Sequence, residues 1–199
     1  MENNSKTFNF DGLFRQNIVL MSGLVTAPII VASTTMKRAL VLVISFFMIS
    51  YLSILICRFI PKKIAYTFRI LLYAIVAAGL YIPTIMLVQK WFPDTANSII
   101  LYIELMVVNL LLLAKTESRF YLIPYGEMAV DALIYIAGFA IAAFAVGFVR
   151  ELLAYGTLFG FKLCKAIMPA ARSPFFGFIL VGIFAAICRA ISGSSRKER

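Results

Sequence analysis

The chain has 199 residues, of which 62% are apolar and only 14% are charged. Soluble domains average about 45–50% apolar and about 25% charged residues, so this composition excludes an ordinary soluble domain and indicates a membrane protein. The net charge of +10 comes from Lys and Arg residues spread between the apolar stretches. That distribution is typical of anchoring at lipid headgroups and argues against nucleic-acid binding.

Six apolar stretches are separated by basic residues, proline or glycine, and they predict an all-α membrane protein of about six transmembrane helices. Residues 1–16 form a polar N-terminal segment without the order of a cleaved leader, so the first stretch is expected to act as its own insertion signal. Residues 193–199 form a basic C-terminal tail. The six stretches lie at about 17–33, 39–60, 68–88, 97–113, 128–149 and 174–191.

The membrane domain, residues 17–192, divides into two groups of three stretches, at about 17–90 and 97–192. In both groups the opening stretch is shorter and less regular than the two that follow. Three spans per group place the second group upside down relative to the first. The pattern therefore predicts two inverted three-helix repeats, with the first and fourth helices broken or half-length and a functional site near the middle of the membrane.

The distribution of basic residues predicts that both termini are cytoplasmic. With the N-terminus inside, twelve Lys and Arg residues fall on the inner side and seven on the outer side, in agreement with the positive-inside rule. The connection between Arg150 and Arg172 breaks that rule, because it carries several of the outer charges. The outer set consists of Lys37, Arg38, Lys90, Arg150, Lys162, Lys165 and Arg172.

Two acidic residues in apolar stretches are candidates for an ion path. Glu104 lies near the middle of the fourth stretch, where an ionised carboxylate costs roughly 2.5–3.5 kcal/mol. It is therefore expected to be protonated, hydrogen-bonded to a neighbouring helix or facing a wet cavity, where it could hold a cation or proton. Asp131 lies near the start of the fifth stretch, where it could equally complement the positive end of a helix dipole.

Four further polar or helix-breaking residues are candidates with structural alternatives. Pro28 removes a backbone donor from the first stretch and marks either a plain kink or a half-helix site at membrane depth. Asn109 is expected to bond between helices. Arg150 and Glu151 are placed at the membrane boundary, where the following Gly156 and Gly160 can end the helix and allow a turn.

Catalytic and metal-binding motifs are not apparent in the sequence. There is no glycine-rich phosphate loop, nucleophile–base pair or pair of catalytic carboxylates, and there is no histidine. The three cysteines, Cys57, Cys164 and Cys188, are far apart and predict neither a zinc site nor a local disulfide. We therefore predict no catalytic residue in this chain.

The stretch Val146-Gly147-Phe148-Val149-Arg150-Glu151-Leu152-Leu153, with Gly156-Thr157-Leu158-Phe159-Gly160, carries a resemblance to a known family. It is similar to a motif of the D/E-type membrane subunits of the Na⁺-translocating NADH:quinone reductase (Nqr) and of the Rnf complex. The resemblance extends over about residues 14–192. Weaker matches in the same order are Pro28 with Thr34 and Ala39-Leu40, Asn109 with Glu117, and Asp131 with Gly138.

The resemblance implies six spans in two inverted halves, pairing with a paralogous membrane subunit of opposite topology, and a place in a bacterial plasma membrane. In that family each of the two subunits supplies two cysteines to a shared iron–sulfur cluster. Here the two ligand positions are Ala27 and Leu110, which cannot bind iron. We therefore expect no directly bound cofactor, with flavin or iron–sulfur groups in partner subunits and Na⁺ or H⁺ as the coupled ion.

Three hypotheses of function follow from the sequence. The first is a membrane subunit of an Rnf/Nqr-like electron-transfer or ion-translocating complex, without its own cluster and at most a non-catalytic subunit of a redox-driven oxidoreductase. The alternative is a small cation or solute transporter or channel on the same scaffold. A structural membrane partner without transport activity is a third alternative.

Overall fold

The computed structural model describes residues 26–61, 63–108 and 123–197, and these residues are mostly helical. A two-stranded antiparallel hairpin, β1 (Thr157–Leu158) and β2 (Phe161–Lys162), and a 3₁₀ turn, Pro169–Arg172, connect the last two helices. The described helices are α1 (Thr26–Ala32), α2 (Met36–Cys57), α3 (Tyr66–Trp91), α4 (Pro93–Glu104), α5 (Tyr125–Tyr155) and α6 (Pro174–Lys197).

Three of these helices, α2, α3 and α5, are long and apolar enough to cross a membrane. α5 has 31 residues and so spans about 46 Å at 1.5 Å per residue, more than the roughly 30 Å of hydrocarbon in a bilayer. The predicted spans 39–60, 68–88 and 128–149 are thereby confirmed as helices. The apolar part of α6, Pro174–Ala190, is shorter.

α2 and α5 form the centre of the bundle and run antiparallel. The start of α2 lies beside the end of α5, and just beyond the other end of α2 Arg58 donates a hydrogen bond of 3.1 Å to the carbonyl of Ile123. Midway along the pair, the rings of Phe46 and Phe139 stack with centroids 3.9 Å apart. Both rings are buried, and they join the two helices at the core.

The start of α2 follows from its capping residue. Thr35 has an extended backbone, and its hydroxyl accepts a hydrogen bond from the backbone N–H of Arg38. The Arg38 guanidinium also donates to the hydroxyl of Thr34. The interruption between α1 and α2 therefore lies at residues 33–35, near the predicted boundary between the first two apolar stretches. Pro28, the predicted kink or half-helix site, lies within the described helix α1.

α4 is shorter than predicted. It begins at Pro93, whose fixed φ suits the first turn of a helix, and Ile99 within it has non-helical angles. Glu104 is its last residue, and a turn follows at 105–108. The placement of Glu104 in the middle of a helix over 97–113 was therefore wrong; residues 109–113 of that stretch lie outside the described residues.

α3 lies at the edge of the bundle and packs against α2 and α4. Much of its apolar surface is exposed, including Phe68, Leu71, Ile82 and Met86. Exposed apolar side chains along a long helix are what a lipid or protein environment within the membrane requires.

Candidate functional site

Arg150 and Glu151 are the most deeply buried charged residues in the described part of the chain. Arg150 is 0% exposed and Glu151 is 2% exposed, near the C-terminal end of α5. Consecutive residues of a helix point in different directions, so the two side chains reach different neighbours. The sequence placed both residues at the membrane boundary, and the structure shows that both side chains are enclosed by protein.

The guanidinium of Arg150 binds backbone carbonyl groups. Its Nε donates to the carbonyl of Ala171 at 3.0 Å, and its Nη2 donates to those of Arg172 and Ser173 at 2.8 and 3.2 Å. Its Nη1 donates to the carbonyl of Ile30, in the last turn of α1. Carbonyls at the C-terminal end of a helix lack partners within the helix and carry partial negative charge. Arg150 therefore holds the end of α1 and the turn before α6 in place.

Gly177 of α6 makes this arrangement sterically feasible. A Cβ at this position would lie 2.7 Å from the carbonyl oxygen of Ile30 and 3.3 Å from Nη1 of Arg150. Only glycine leaves room for α1, α6 and the guanidinium to meet here without displacement. Gly177 was not predicted from the sequence, because a glycine in an apolar helix gives no sign of which backbone approaches it.

Glu151 binds the N-terminal end of α2 and the hairpin. Its Oε2 accepts a hydrogen bond of 2.6 Å from the backbone N–H of Met36, the first residue of α2. Its Oε1 accepts from the hydroxyl of Thr157 and from the backbone N–H of Gly160, both at 3.2 Å. The start of a helix presents unpaired N–H groups and a partial positive charge. A carboxylate placed there accepts hydrogen bonds from these N–H groups and stabilises the helix.

The turn after α5 depends on its glycines. Gly156 ends α5 with φ +64°, a left-handed conformation, so the prediction that this glycine can end the helix is confirmed. Gly160 has φ +91° and places its N–H toward Glu151. The carbonyl of Gly156 accepts hydrogen bonds from the backbone N–H groups of Leu163 and Cys164, which folds the β1–β2 hairpin and the residues after it back on the helix end.

We call Arg150 and Glu151, with the groups they bind, the Arg–Glu junction. The junction joins the ends of α1, α2 and α5, the hairpin and the turn before α6. Its charged atoms are directed at backbone groups and at the Thr157 hydroxyl within the protein, so it is suited to positioning helices rather than to binding a solute.

Glu104 occupies a different environment. Its side chain is exposed, and the hydroxyl of Tyr81 on α3 donates a hydrogen bond of 3.2 Å to its Oε1. Tyr81 was not among the residues predicted from the sequence. A carboxylate with one donor and an exposed face at the end of a short helix is chemically available to a cation, a proton or a donor on another subunit.

The other candidates are distributed over the bundle. Pro28 is buried in α1, and Asp131 is half-buried on the second turn of α5. Asn109 and Leu110 lie outside the described residues.

Comparisons with known proteins identify the family. A family model described as an Rnf-Nqr subunit, a membrane protein, matches residues 6–185 of the chain. The chain belongs to this family. The resemblance drawn from the Arg150-Glu151 motif is therefore confirmed.

Individual relatives agree with the Rnf-Nqr assignment. The E-type subunit of an ion-translocating oxidoreductase complex from Rhodobacter capsulatus is 29% identical over 177 residues, which cover 87% of this chain and 69% of the relative. The D-type subunit of an Na⁺-translocating NADH-quinone reductase from Shewanella loihica is 24% identical over 155 residues, 78% of this chain and 74% of the relative. The corresponding D-type protein from Pseudoalteromonas translucida is 22% identical over 192 residues, 92% and 91% of the two chains.

At the two positions that the resemblance gives for the cluster ligands, this Rnf-Nqr protein has Ala27 and Leu110. Ala27 presents a methyl group and Leu110 an isobutyl group, neither of which binds iron. Cys57 is buried at the end of α2, Cys164 is exposed just after β2, and Cys188 lies on α6. Among the described residues, no three acidic or cysteine side chains are grouped closely enough to hold a metal ion.

Proposed function

We propose that this chain is a membrane subunit of an ion-translocating oxidoreductase complex of the Rnf/Nqr type. The observation that carries the proposal is the family match over residues 6–185, together with relatives named as subunits of such complexes. Three membrane-length helices and the apolar outer face of α3 are in keeping with this role. The location would be a bacterial plasma membrane, with both termini in the cytoplasm.

Two inverted three-helix halves would form the scaffold. α1 and α4 are short in the described residues, and each precedes two longer helices. The non-helical angles of Ile99 interrupt α4 further. Such pairs of short helices at corresponding positions are typical of inverted repeats. The exposed side of the bundle would then meet a paralogous membrane subunit of opposite topology.

The role of the chain within the complex would be scaffold, docking surface or ion path rather than cluster ligation. The methyl group of Ala27, at a position where the family has a cluster ligand, supports a role without cluster ligation. Flavin or iron–sulfur groups in partner subunits would carry the electrons, and Na⁺ or H⁺ would be the coupled ion.

Purification of the tagged chain from its native membrane in a mild detergent tests the proposal. We expect the chain to copurify with a second membrane protein and with flavin- or iron-containing proteins. Iron and acid-labile sulfide, measured on the isolated chain after removal of its partners, should be absent. A chain that purifies alone from native membranes, with no redox protein at any detergent concentration, would contradict the complex. Stoichiometric iron in the isolated chain would contradict the missing cluster.

A second candidate function is a small cation or solute transporter on the same scaffold. The exposed carboxylate of Glu104, with the Tyr81 hydroxyl as its neighbour, favours it. Under this alternative Glu104→Gln abolishes uptake by proteoliposomes that contain the chain alone, and Tyr81→Phe reduces it. Equal uptake by the wild type and by empty vesicles would eliminate the transporter.

A further inference from the structure

The segment between α5 and α6 projects an unusual combination of side chains. All residues from 159 to 170 are exposed. Several of them are large and apolar: Phe161 is 78% exposed, Ile167 70% and Leu163 64%. We call residues 157–172 the hairpin segment.

The same segment is strongly basic. Lys162 and Lys165 are interleaved with its apolar residues, and Arg172 ends it, with its guanidinium 4.2 Å from the centre of the Tyr155 ring. Lys37, at the start of α2, extends its ammonium group toward Gly160.

No acidic residue is available to neutralise these charges from the same part of the chain. Glu151 is the sole Asp or Glu between residues 132 and 197, and its carboxylate is buried and accepts three hydrogen bonds. Within residues 132–197, the exposed surface of the hairpin segment therefore carries positive charge with no exposed acidic residue beside it in the sequence, and such a surface attracts an anionic partner.

The exposed side chains are held in place by the backbone. The N–H groups of Leu163 and Cys164 donate to the carbonyl of Gly156, and those of Ile167 and Met168 donate to that of Leu153. Glu151 binds the tip of the turn. Because these bonds fix the segment against the end of α5, its apolar side chains are presented outward instead of folding onto the bundle.

The position of the segment in the chain indicates the environment that surrounds it. It follows α5, a membrane-length helix, and it precedes the apolar part of α6, so it lies where the chain leaves and re-enters the apolar layer. At that depth, apolar side chains contact the upper acyl chains, while lysine ammonium groups reach the headgroups. An anionic headgroup adds roughly 1 kcal/mol of attraction for each nearby Lys or Arg.

We propose that the hairpin segment binds anionic phospholipid headgroups. Lys162 and Lys165 contact the lipid phosphates, and Phe161 and Leu163 enter the upper part of the acyl layer. Basic and apolar residues alternate along the segment, whereas a protein interface of this size typically has an apolar centre depleted of lysine. This inference does not depend on the proposed function.

Cys164 provides a reporter within the segment, because its thiol is exposed. In a C57A/C188A background, Cys164 is labelled with nitrobenzoxadiazole and the full chain is reconstituted into phosphatidylcholine vesicles. The vesicles contain equal small fractions of doxyl-labelled phosphatidylglycerol or doxyl-labelled phosphatidylcholine. We expect several-fold stronger quenching by the phosphatidylglycerol. Raising the salt from about 0.1 M to about 1 M shortens the Debye length from about 10 Å to about 3 Å and should reduce the preference.

Substitutions test whether Lys162 and Lys165 cause the stronger quenching by phosphatidylglycerol, which we call the lipid preference. Lys165→Gln should lower the lipid preference about fivefold, which corresponds to about 1 kcal/mol. K162Q/K165Q should remove most of the lipid preference. Lys63→Gln, an exposed lysine between α2 and α3, is the matched control and should leave the preference unchanged.

Three outcomes would overturn the proposal. One is equal quenching by the two lipids in the wild-type chain at low salt. Another is a preference that K162Q/K165Q and Lys63→Gln reduce equally. The third is a label in the copurified complex that neither lipid quenches, which would assign the segment to a partner protein.

Discussion

Replacement of Arg150 by alanine tests whether the Arg–Glu junction holds the bundle together. The substitution removes four hydrogen bonds from a charged donor and leaves buried carbonyl groups without partners, among them that of Ile30. Hydrogen bonds to charged groups contribute about 1.5–3 kcal/mol each but are not additive, so we expect a loss of about 3–5 kcal/mol. For a chain of this size that corresponds to a decrease in Tm on the order of 10 °C.

The assay uses the buried thiol of Cys57 as a reporter of unfolding. In a C164S/C188S background in detergent, a thiol-reactive dye becomes fluorescent when heating exposes Cys57, and the midpoint gives the Tm. Arg150→Lys should recover part of the loss, because an ammonium group reaches fewer of the carbonyls. Arg172→Ala is the control: its backbone carbonyl is retained, and the exposed side chain contributes about 0.5–1 kcal/mol through the Tyr155 ring. Equal Tm values for Arg150→Ala and Arg172→Ala would refute the reasoning.

Further variants extend this test and are read with the same Tm assay or by the yield of folded protein. Glu151→Gln should cost about 1–3 kcal/mol, because the amide group cannot accept from all the donors that surround it, including the N–H of Met36. The exchange R150E/E151R keeps the net charge but places each charge against the wrong helix end, so we expect no folded protein in the detergent extract; normal yield and Tm would contradict the helix-end assignment. Gly156→Ala should lower the Tm by several degrees, because the new methyl group would collide with the carbonyl of Cys164 and the backbone is left-handed, whereas Gly79→Ala, in open space on α3, should be neutral or stabilising.

The long helices could be predicted from the sequence because their signal is local. Continuous apolar runs of helical length define α2, α3 and α5 wherever the chain places them. The ends of the helices were harder to predict: α5 continues to Tyr155, six residues past the predicted 149, because Arg150 and Glu151 are buried by other parts of the chain and do not end the helix. A charge in the sequence shows that a partner is needed, but not whether the partner is lipid or protein.

The Arg–Glu junction was only partly predictable, because most of the partners of its two charged residues are distant in the sequence. The motif pointed to Arg150 and Glu151, but their partners are mostly backbone carbonyl and amide groups of residues such as Ile30 and Met36, whose side chains carry no polar signal. Likewise, Tyr81 lies 23 residues before Glu104 and could not be paired with it by spacing. Contacts of this kind depend on how helices pack, which the pattern of a single stretch does not contain.

The junction also explains why an arginine and a glutamate can be neighbours in a membrane protein without neutralising each other. Burying an isolated charge is costly, and two adjacent helix positions point too far apart to form a close pair. Here the chain brings the carbonyl end of α1 to Arg150 and the amide end of α2 to Glu151, so each charge meets a helix end of opposite sign. Because α1 and α2 are joined by only residues 33–35, the two ends lie close together. A tight turn between two helices thus presents opposite partial charges side by side, and an Arg–Glu sequence at the end of a third helix can bind both.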